Sequence, residues 1–187
     1  NKARESKLDN LLSYDLKDYR EIIGTWDRIV NVGFFEHVSP KFYKTFFKKI
    51  DSLLKDDNSI CLTHTIASAN SPSAVNPFIN KYVFNGGKIP TASQITKAIE
   101  DSGLVISGWE SLIDHYNLTL DHWRKRFLQN VDKAKKTYGS DFVRLWDFYL
   151  SSCSAAFKWS DLLVYQIETV KNFTAIPSRT RDYIYNS

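Results

Sequence analysis

Residues 27–38 read DRIVNVGFFEHV, and the fold turns on how this stretch is parsed. Ile29, Val30, Val32 and Phe34 form a short β-branched and aromatic run of the kind a buried strand carries. Asp27 and Arg28 lead into it, and Glu36 and His37 follow just past its last apolar residue. A carboxylate and an imidazole placed there sit where a parallel strand leaves its sheet, which is where open α/β sheets gather ligand-binding groups.

The flanking segments support that parse. Upstream, LLSYDLKDYR (11–20) reads as a short strand running into an acidic and aromatic turn. Downstream, in SPKFYKTFFKKIDSLLKDDN (39–58), Ser39 can cap a helix that has Pro40 at its first position. Phe42, Phe46, Phe47, Ile50, Leu53 and Leu54 recur at helical spacing, and Asp56, Asp57 and Asn58 end the run. SICLTHTIAS (59–68) is the next strand, ANSPSAVNPF (69–78) a loop, and FNGGKIPTAS (84–93) a second turn-rich stretch. Thr91 or Ser93 can cap the helix QITKAIEDSG (94–103), which Gly103 closes, and LVISGWESL (104–112) is again a strand. Residues from about 119 to 159 are nearly all helical, in two segments divided at Tyr138-Gly139. DLLVYQIETVKN (161–172) returns to strand, and residues 173–187 read as a weakly ordered tail. Alternating strands and helices predict one α/β domain over residues 1–172, with a mostly parallel sheet.

Composition sets the outer bounds. The chain has 187 residues, 43% hydrophobic and 14% aromatic, enough for one well-packed core. A net charge of +4 is too weak to argue for nucleic acid. Cys61 and Cys153 lie far apart in apolar surroundings and read as reduced core thiols in a reducing compartment. No run approaches the ~20 apolar residues of a membrane span. The histidines are scattered without metal-ligand spacing, and no GxSxG, GxxxxGK[ST] or GxGxxG occurs. The chain contains no methionine, even at position 1, so it reads as a fragment, a processed product or one piece of something longer.

Taken singly, the polar residues have ordinary explanations. Glu36 is as well explained as a solvated or lysine-paired loop residue, and His37 as one pointing to solvent. His64, between Leu62 and Ile66, is a core imidazole that needs a partner or a purpose. Tyr116 can be an ordinary residue at a helix start, and Cys153 a small buried hydrophobe. From the residues alone, the chain is an α/β domain with a polar site at its strand ends.

The segments DYR (18–20), WDRIVNVGFFEHVSPKFYKTFF (26–47), LTHTIAS (62–68), INKYVFNGGKIPTASQI (79–95), HYNLTLDHW (115–123) and FVRLWDFYLSSCSAAF (142–157) carry a further signal. In this order and spacing they resemble the cyclopropane-fatty-acyl-phospholipid synthases and their relatives, the mycolic acid cyclopropane synthases, over roughly residues 8 to 170. The resemblance implies a Rossmann-like class I methyltransferase fold, with residues 119–159 forming an inserted helical cover over a lipid-binding tunnel. It implies methyl transfer from S-adenosylmethionine to a cis double bond of an unsaturated phospholipid acyl chain, followed by proton loss to a bound bicarbonate and ring closure. Related enzymes make methyl-branched or hydroxylated chains instead.

Carried onto this sequence, the bicarbonate site uses Glu36, His64, Tyr116 and the backbone of Ile66. Asp18, Tyr19 and Arg20 match the turn along the cofactor's adenine, and Tyr82 and Cys153 match the substrate pocket. The implied partners are acyl chains at an anionic membrane surface, with a homodimer compatible, no nucleic acid and no metal. The implied location is cytoplasmic, peripheral to the inner face of the membrane. The family's glycine-rich cofactor loop, its acidic ribose-binding residue, a further cysteine segment and its first two strands have no counterpart in this chain. The expectation is therefore a sheet left open on one side of DRIVNVGF, and a chain that is not self-sufficient. The competing reading is a non-catalytic lipid- or partner-binding remnant.

Overall fold

A computed structural model describes residues 8, 10–55, 58–70, 73–175, 180 and 182–185. In chain order the strands are β1 (Arg28–Val32), β2 (Ile60–Ser68), β3 (Ser73–Ala74), β4 (Lys88–Ile89), β5 (Val105–Leu112) and β6 (Leu162–Val170). The helices are α1 (Tyr43–Leu53), α2 (Pro77–Tyr82), α3 (Ala92–Glu100), α4 (His115–Gln129), α5 (Val131–Tyr138), α6 (Ser140–Trp159) and α7 (Asp182–Tyr185). Four strands form one sheet in the order β1-β2-β6-β5, while β3 and β4 pair separately.

The expected mostly parallel sheet is mixed among the described residues. β1 runs parallel to β2, with Val32 opposite His64. β6 lies antiparallel to β2 and pairs His64 with Gln166, and β5 lies antiparallel to β6 and pairs Glu110 with Gln166. An apolar strand pattern reports burial and not direction, so the sequence could not separate these cases.

Several local expectations change as well. Residues 12–18 form no strand; they run into a 3₁₀ turn, Tyr19–Glu21, capped by the Asp18 side chain. A strand needs a neighbour for its backbone groups, and none pairs with this segment among the described residues. β1 is likewise bonded on one side only, and Val30 and Val32 are each 64% exposed. Ser39 makes no capping bond; Pro40 opens a 3₁₀ turn that continues into α1. Residues 69–78 are not simply a loop, since they contain β3 and the start of α2, where Asn76 caps the Phe78 amide. The second helix follows expectation: Thr91 caps α3 in a reciprocal pair with Gln94.

The two faces of the sheet carry different layers. On one, α1 and α3 bury Phe47, Leu54, Cys61, Ile95, Ile99 and Ile167 completely. On the other, α4 and α6 enclose a smaller cluster of Leu120, Tyr149, Leu150, Phe157 and Val164. This cover starts at His115 rather than Thr119 and breaks twice, at Asn130 and at Gly139. Gly139 has φ 88°, a left-handed conformation that suits glycine between two helices. α4 is tied to α6 by buried hydrogen bonds: Asn117 Nδ2 donates to Ser154 Oγ at 2.9 Å, and Ser154 Oγ donates to Asp121 Oδ1 at 2.5 Å.

Within the expected tail, Phe173–Ala175 forms a 3₁₀ turn and Asp182–Tyr185 is α7, while residues 176–179, 181, 186 and 187 lie outside the described residues. No helix among the described residues is long and apolar enough to cross a membrane.

Candidate active site

The site is built from the turn that ends β1. Gly33, at φ 64°, turns the chain out of the strand while its N–H donates to the His64 carbonyl at 3.0 Å. The 3₁₀ turn Phe35–His37 follows. Phe35 is fully buried, with its ring 4.4 Å from that of Tyr43 and 5.2 Å from those of Phe46 and Phe47. These contacts anchor the turn and leave the next side chain, Glu36, only 9% exposed. Thr65 Oγ1 donates to Glu36 Oε2 at 2.9 Å. Glu36 Oε1 lies 3.7 Å from the point a Cβ at residue 33 would occupy, an ordinary contact, so the positive φ and not crowding calls for glycine there.

Glu36 faces a cavity of about 370 Å³ between the sheet and the helical cover. β2 contributes Ile66, α4 contributes Tyr116, Leu120 and Trp123, and α6 contributes Tyr149 and Cys153. Phe84 closes one side, packed on Tyr149 and on the exposed His37 at ring distances of 6.0 and 6.1 Å. The lining is mostly apolar, and burial governs its titratable groups. It pushes the Cys153 thiol up to about 11 and the Tyr149 phenol up to about 12. Tyr116 is raised by burial and, secondarily, by the Glu36 charge, so its hydroxyl stays protonated and able to donate. His64 is lowered by burial, with the Glu36 charge acting against that trend, so its ring is held neutral near pH 7.

The structure brings together Glu36, Ile66, Tyr116 and Cys153, all on one cavity wall or another. His64 falls in the middle of β2 and is not part of the cavity lining. It occupies the same sheet face as Ile66, and its Nδ1 contacts Gln166 Nε2 at 3.1 Å. Tyr82 does not line this cavity; it is 52% exposed and packs on Phe78 with ring centroids 5.1 Å apart. Asp18 and Arg20 pair with each other at 2.6 Å in an exposed turn, and Tyr19 packs edge-on against Phe34 and Phe46 at 5.5 Å.

Sequence reasoning missed Thr65, which holds the carboxylate, and Trp123, Tyr149 and Phe84, which shape the cavity. Thr65 had a usable signal, since it is a hydroxyl on the buried face of a strand. The aromatics had none that separated them from ordinary core residues. Among the described residues, no cluster of His, Cys, Asp and Glu could hold a metal ion.

The cavity therefore offers one buried carboxylate, Glu36, and a protonated phenol, Tyr116, in an otherwise mostly apolar wall. The sheet, its layers and the place of this site at the strand ends are those of the Rossmann-like class I methyltransferase fold. Comparison with solved structures agrees on the fold. The cyclopropane synthase MmaA2 from Mycobacterium tuberculosis superposes with a TM-score of 0.79 at 23% identity, covering 90% of this chain and 66% of that one.

Sequence comparison goes further. The family model for mycolic acid cyclopropane synthetase matches residues 2–167, and the chain belongs to that family. It is 39% identical over 152 residues to the cyclopropane-fatty-acyl-phospholipid synthase of Escherichia coli K12, and 28% identical over 179 residues to a probable fatty acid methyltransferase of Pseudomonas putida. These alignments cover 81% and 92% of this chain, but only 39% and 45% of the two relatives.

Proposed function

We propose that this protein transfers the methyl group of S-adenosylmethionine to the cis double bond of an unsaturated phospholipid acyl chain and forms a cyclopropane ring. The observation that carries the reading is Glu36, a buried carboxylate held by Thr65 at the wall of an otherwise apolar, helix-roofed cavity. Burying an ionisable group in such a place is costly unless it has work to do there. Family membership and the 39% identity to the E. coli synthase support the same reading.

When bound, S-adenosylmethionine supplies the methyl group and bicarbonate the base. In this chain Glu36 Oε1 accepts the hydroxyl of the anion and Tyr116 donates to its oxygens from the cavity wall, while His64, outside that lining but on the same sheet face as Ile66, donates from beside it and Ile66 offers backbone and shape. Holding the hydroxyl on Glu36 turns the basic oxygens toward the acyl chain. Leu120, Trp123, Tyr149 and Cys153 form an apolar wall for that chain and keep water away from it. Toward the cofactor, this chain offers the turn of Asp18, Tyr19 and Arg20 beside the open edge of β1. The apolar exposed residues there, Val30 and Val32, fit a protein surface better than a charged ligand.

The substrate places the work at an anionic membrane surface, approached from the cytoplasmic side without a span. The +4 charge favours such a surface mildly, at about 1 kcal/mol per lysine or arginine close to it.

The test is incubation of the full-length protein with methyl-labelled S-adenosylmethionine and vesicles of unsaturated phospholipid. The expected product is an acyl chain heavier by one CH₂, without its double bond, formed faster on anionic than on neutral vesicles at low salt. Acyl-chain binding with no label transferred would contradict the reading and leave a lipid-binding protein.

A further inference from the structure

His64 has its ring set by a residue that the reading above leaves without a role. Gln166 stands directly opposite His64 in the β2–β6 register, with its amide nitrogen 3.1 Å from Nδ1. An amide NH₂ has hydrogens to give and no lone pair to accept with, so the contact is a bond from Gln166 Nε2–H to the Nδ1 lone pair. A neutral imidazole whose Nδ1 accepts carries its proton on Nε2.

We propose that Gln166 is a positioning residue that fixes His64 as the Nε2–H tautomer, so that this nitrogen is a donor to the anion shared with Glu36 and Tyr116. The proposal rests on the anion-holding reading given above. Its logic is one of matching partners. Glu36 can only accept, so the oxygens of a shared anion must find their donors elsewhere. Tyr116 is one. A histidine in the opposite tautomer would turn a lone pair toward the anion and repel it, and a freely tautomerising one would be correct only part of the time.

The neighbours explain why an amide suits the position better than a carboxylate. The Glu36 charge acts on His64 from the turn after β1, Glu110 stands opposite Gln166 on β5, and Glu168 lies on the same face of β6 one pair further along. A carboxylate at 166 would add a charge to that group, accept a hydrogen bond from Nδ1–H, and draw the ring toward imidazolium. The amide instead supplies a directional donor and leaves the row without a further charge. A mere cross-strand polar pair, satisfying a half-buried ring, would give the same distance but no functional consequence. The experiment must therefore read the proton and the reaction separately.

The readout of the proton is ¹⁵N NMR of the full-length protein labelled at its four histidines, with His64 assigned by its loss in His64→Gln. The expected spectrum at pH 7.5 shows an unprotonated Nδ1 and a protonated Nε2. Gln166→Met should give a tautomer mixture, and Gln166→Glu should protonate Nδ1 and move the His64 titration upward. In the reaction, Gln166→Met should lower kcat about tenfold with KM for S-adenosylmethionine unchanged, and Gln166→Glu should also displace the pH profile.

A protonated Nδ1 in the wild-type protein, or a His64 tautomer indifferent to Gln166→Met, would overturn the proposal outright. A tautomer that follows residue 166 while methyl transfer does not would overturn it differently. The pairing would stand, and the anion-holding role of His64 would fall.

Discussion

The two faces of the sheet differ in how completely they are filled. Against α1 and α3, every large side chain from Phe35 to Ile167 in the cluster is essentially inaccessible, and the aromatic rings interlock at 4.4–5.2 Å. Against α4 and α6, the cluster is smaller, more of its apolar margin is only half-buried, and a cavity of about 370 Å³ remains. Both layers are rich in aromatics, so composition does not distinguish them. Close packing marks the face that holds the fold together, and the unfilled face marks the one shaped for a guest.

If this contrast is right, the two faces should answer mutation differently. The largest effect should come from the filled side. Phe47→Ala removes a fully buried ring and should cost about 3–5 kcal/mol, read as a lower urea midpoint with unchanged slope. A loss below about 1 kcal/mol would show that this layer relaxes easily and would blur the distinction.

A middle-sized effect is expected at the seam of the cover. Ser154→Ala takes away the nearer acceptor of Asn117, which is 3% exposed, leaving its amide only Asp121 Oδ2 at 3.4 Å, and removes the hydroxyl that donates to Asp121 Oδ1. That should cost about 1–3 kcal/mol. It should also loosen α4 against α6, which amide hydrogen exchange along both helices would detect.

The unfilled side should behave in the opposite way. Cys153→Phe adds a ring where the cavity has room, so stability should change by less than about 1 kcal/mol while binding of a fluorescent acyl chain is lost. Retained acyl binding in a well-folded Cys153→Phe protein would mean that this cavity is not the acyl site.

The contrast between the faces also explains what the sequence could show. Ile60–Ser68, Leu162–Val170 and the helix after Thr91 were legible because period and capping chemistry are local properties. The antiparallel setting of β6 and β5 was not, since it depends on where a strand's neighbours lie. The fate of residues 12–18 shows the same limit, because a strand-like pattern forms no strand without a partner. Glu36, Tyr116, Ile66 and Cys153, singled out by their motifs, all line the cavity. Nothing local set Tyr82, which sits outside the cavity, apart from Phe84, which closes it. Thr65 offered only a hydroxyl on the buried face of its strand, and Gln166, whose contact with His64 lies across the sheet, left no pattern in the chain.

The smallest effect concerns pH. Burial lowers the His64 pKa below its ordinary 6.5, so the unfolded chain binds this proton at a higher pH than the folded one. Stability should therefore fall as pH drops below about 6.5 and level off once the folded ring is also protonated. His64→Gln should flatten that part of the profile. An NMR titration midpoint for His64 above 6.5 would reverse the sign and place the Glu36 charge above burial as the dominant influence.

The central claim is that the buried carboxylate on the unfilled face holds the base. Glu36→Gln keeps the shape but replaces a charged acceptor with a neutral amide. Losing one charge-assisted hydrogen bond, worth about 1.5–3 kcal/mol, should lower turnover by roughly ten- to a hundredfold. S-adenosylmethionine binding should survive, because Glu36 has no part in it. The decisive measurement is methyl transfer to unsaturated phospholipid by full-length wild-type and Glu36→Gln protein across a bicarbonate titration. The expected result is wild-type turnover that rises with bicarbonate and a variant that is slow and largely insensitive to it. Wild-type turnover in Glu36→Gln, with the same bicarbonate dependence, would contradict the account.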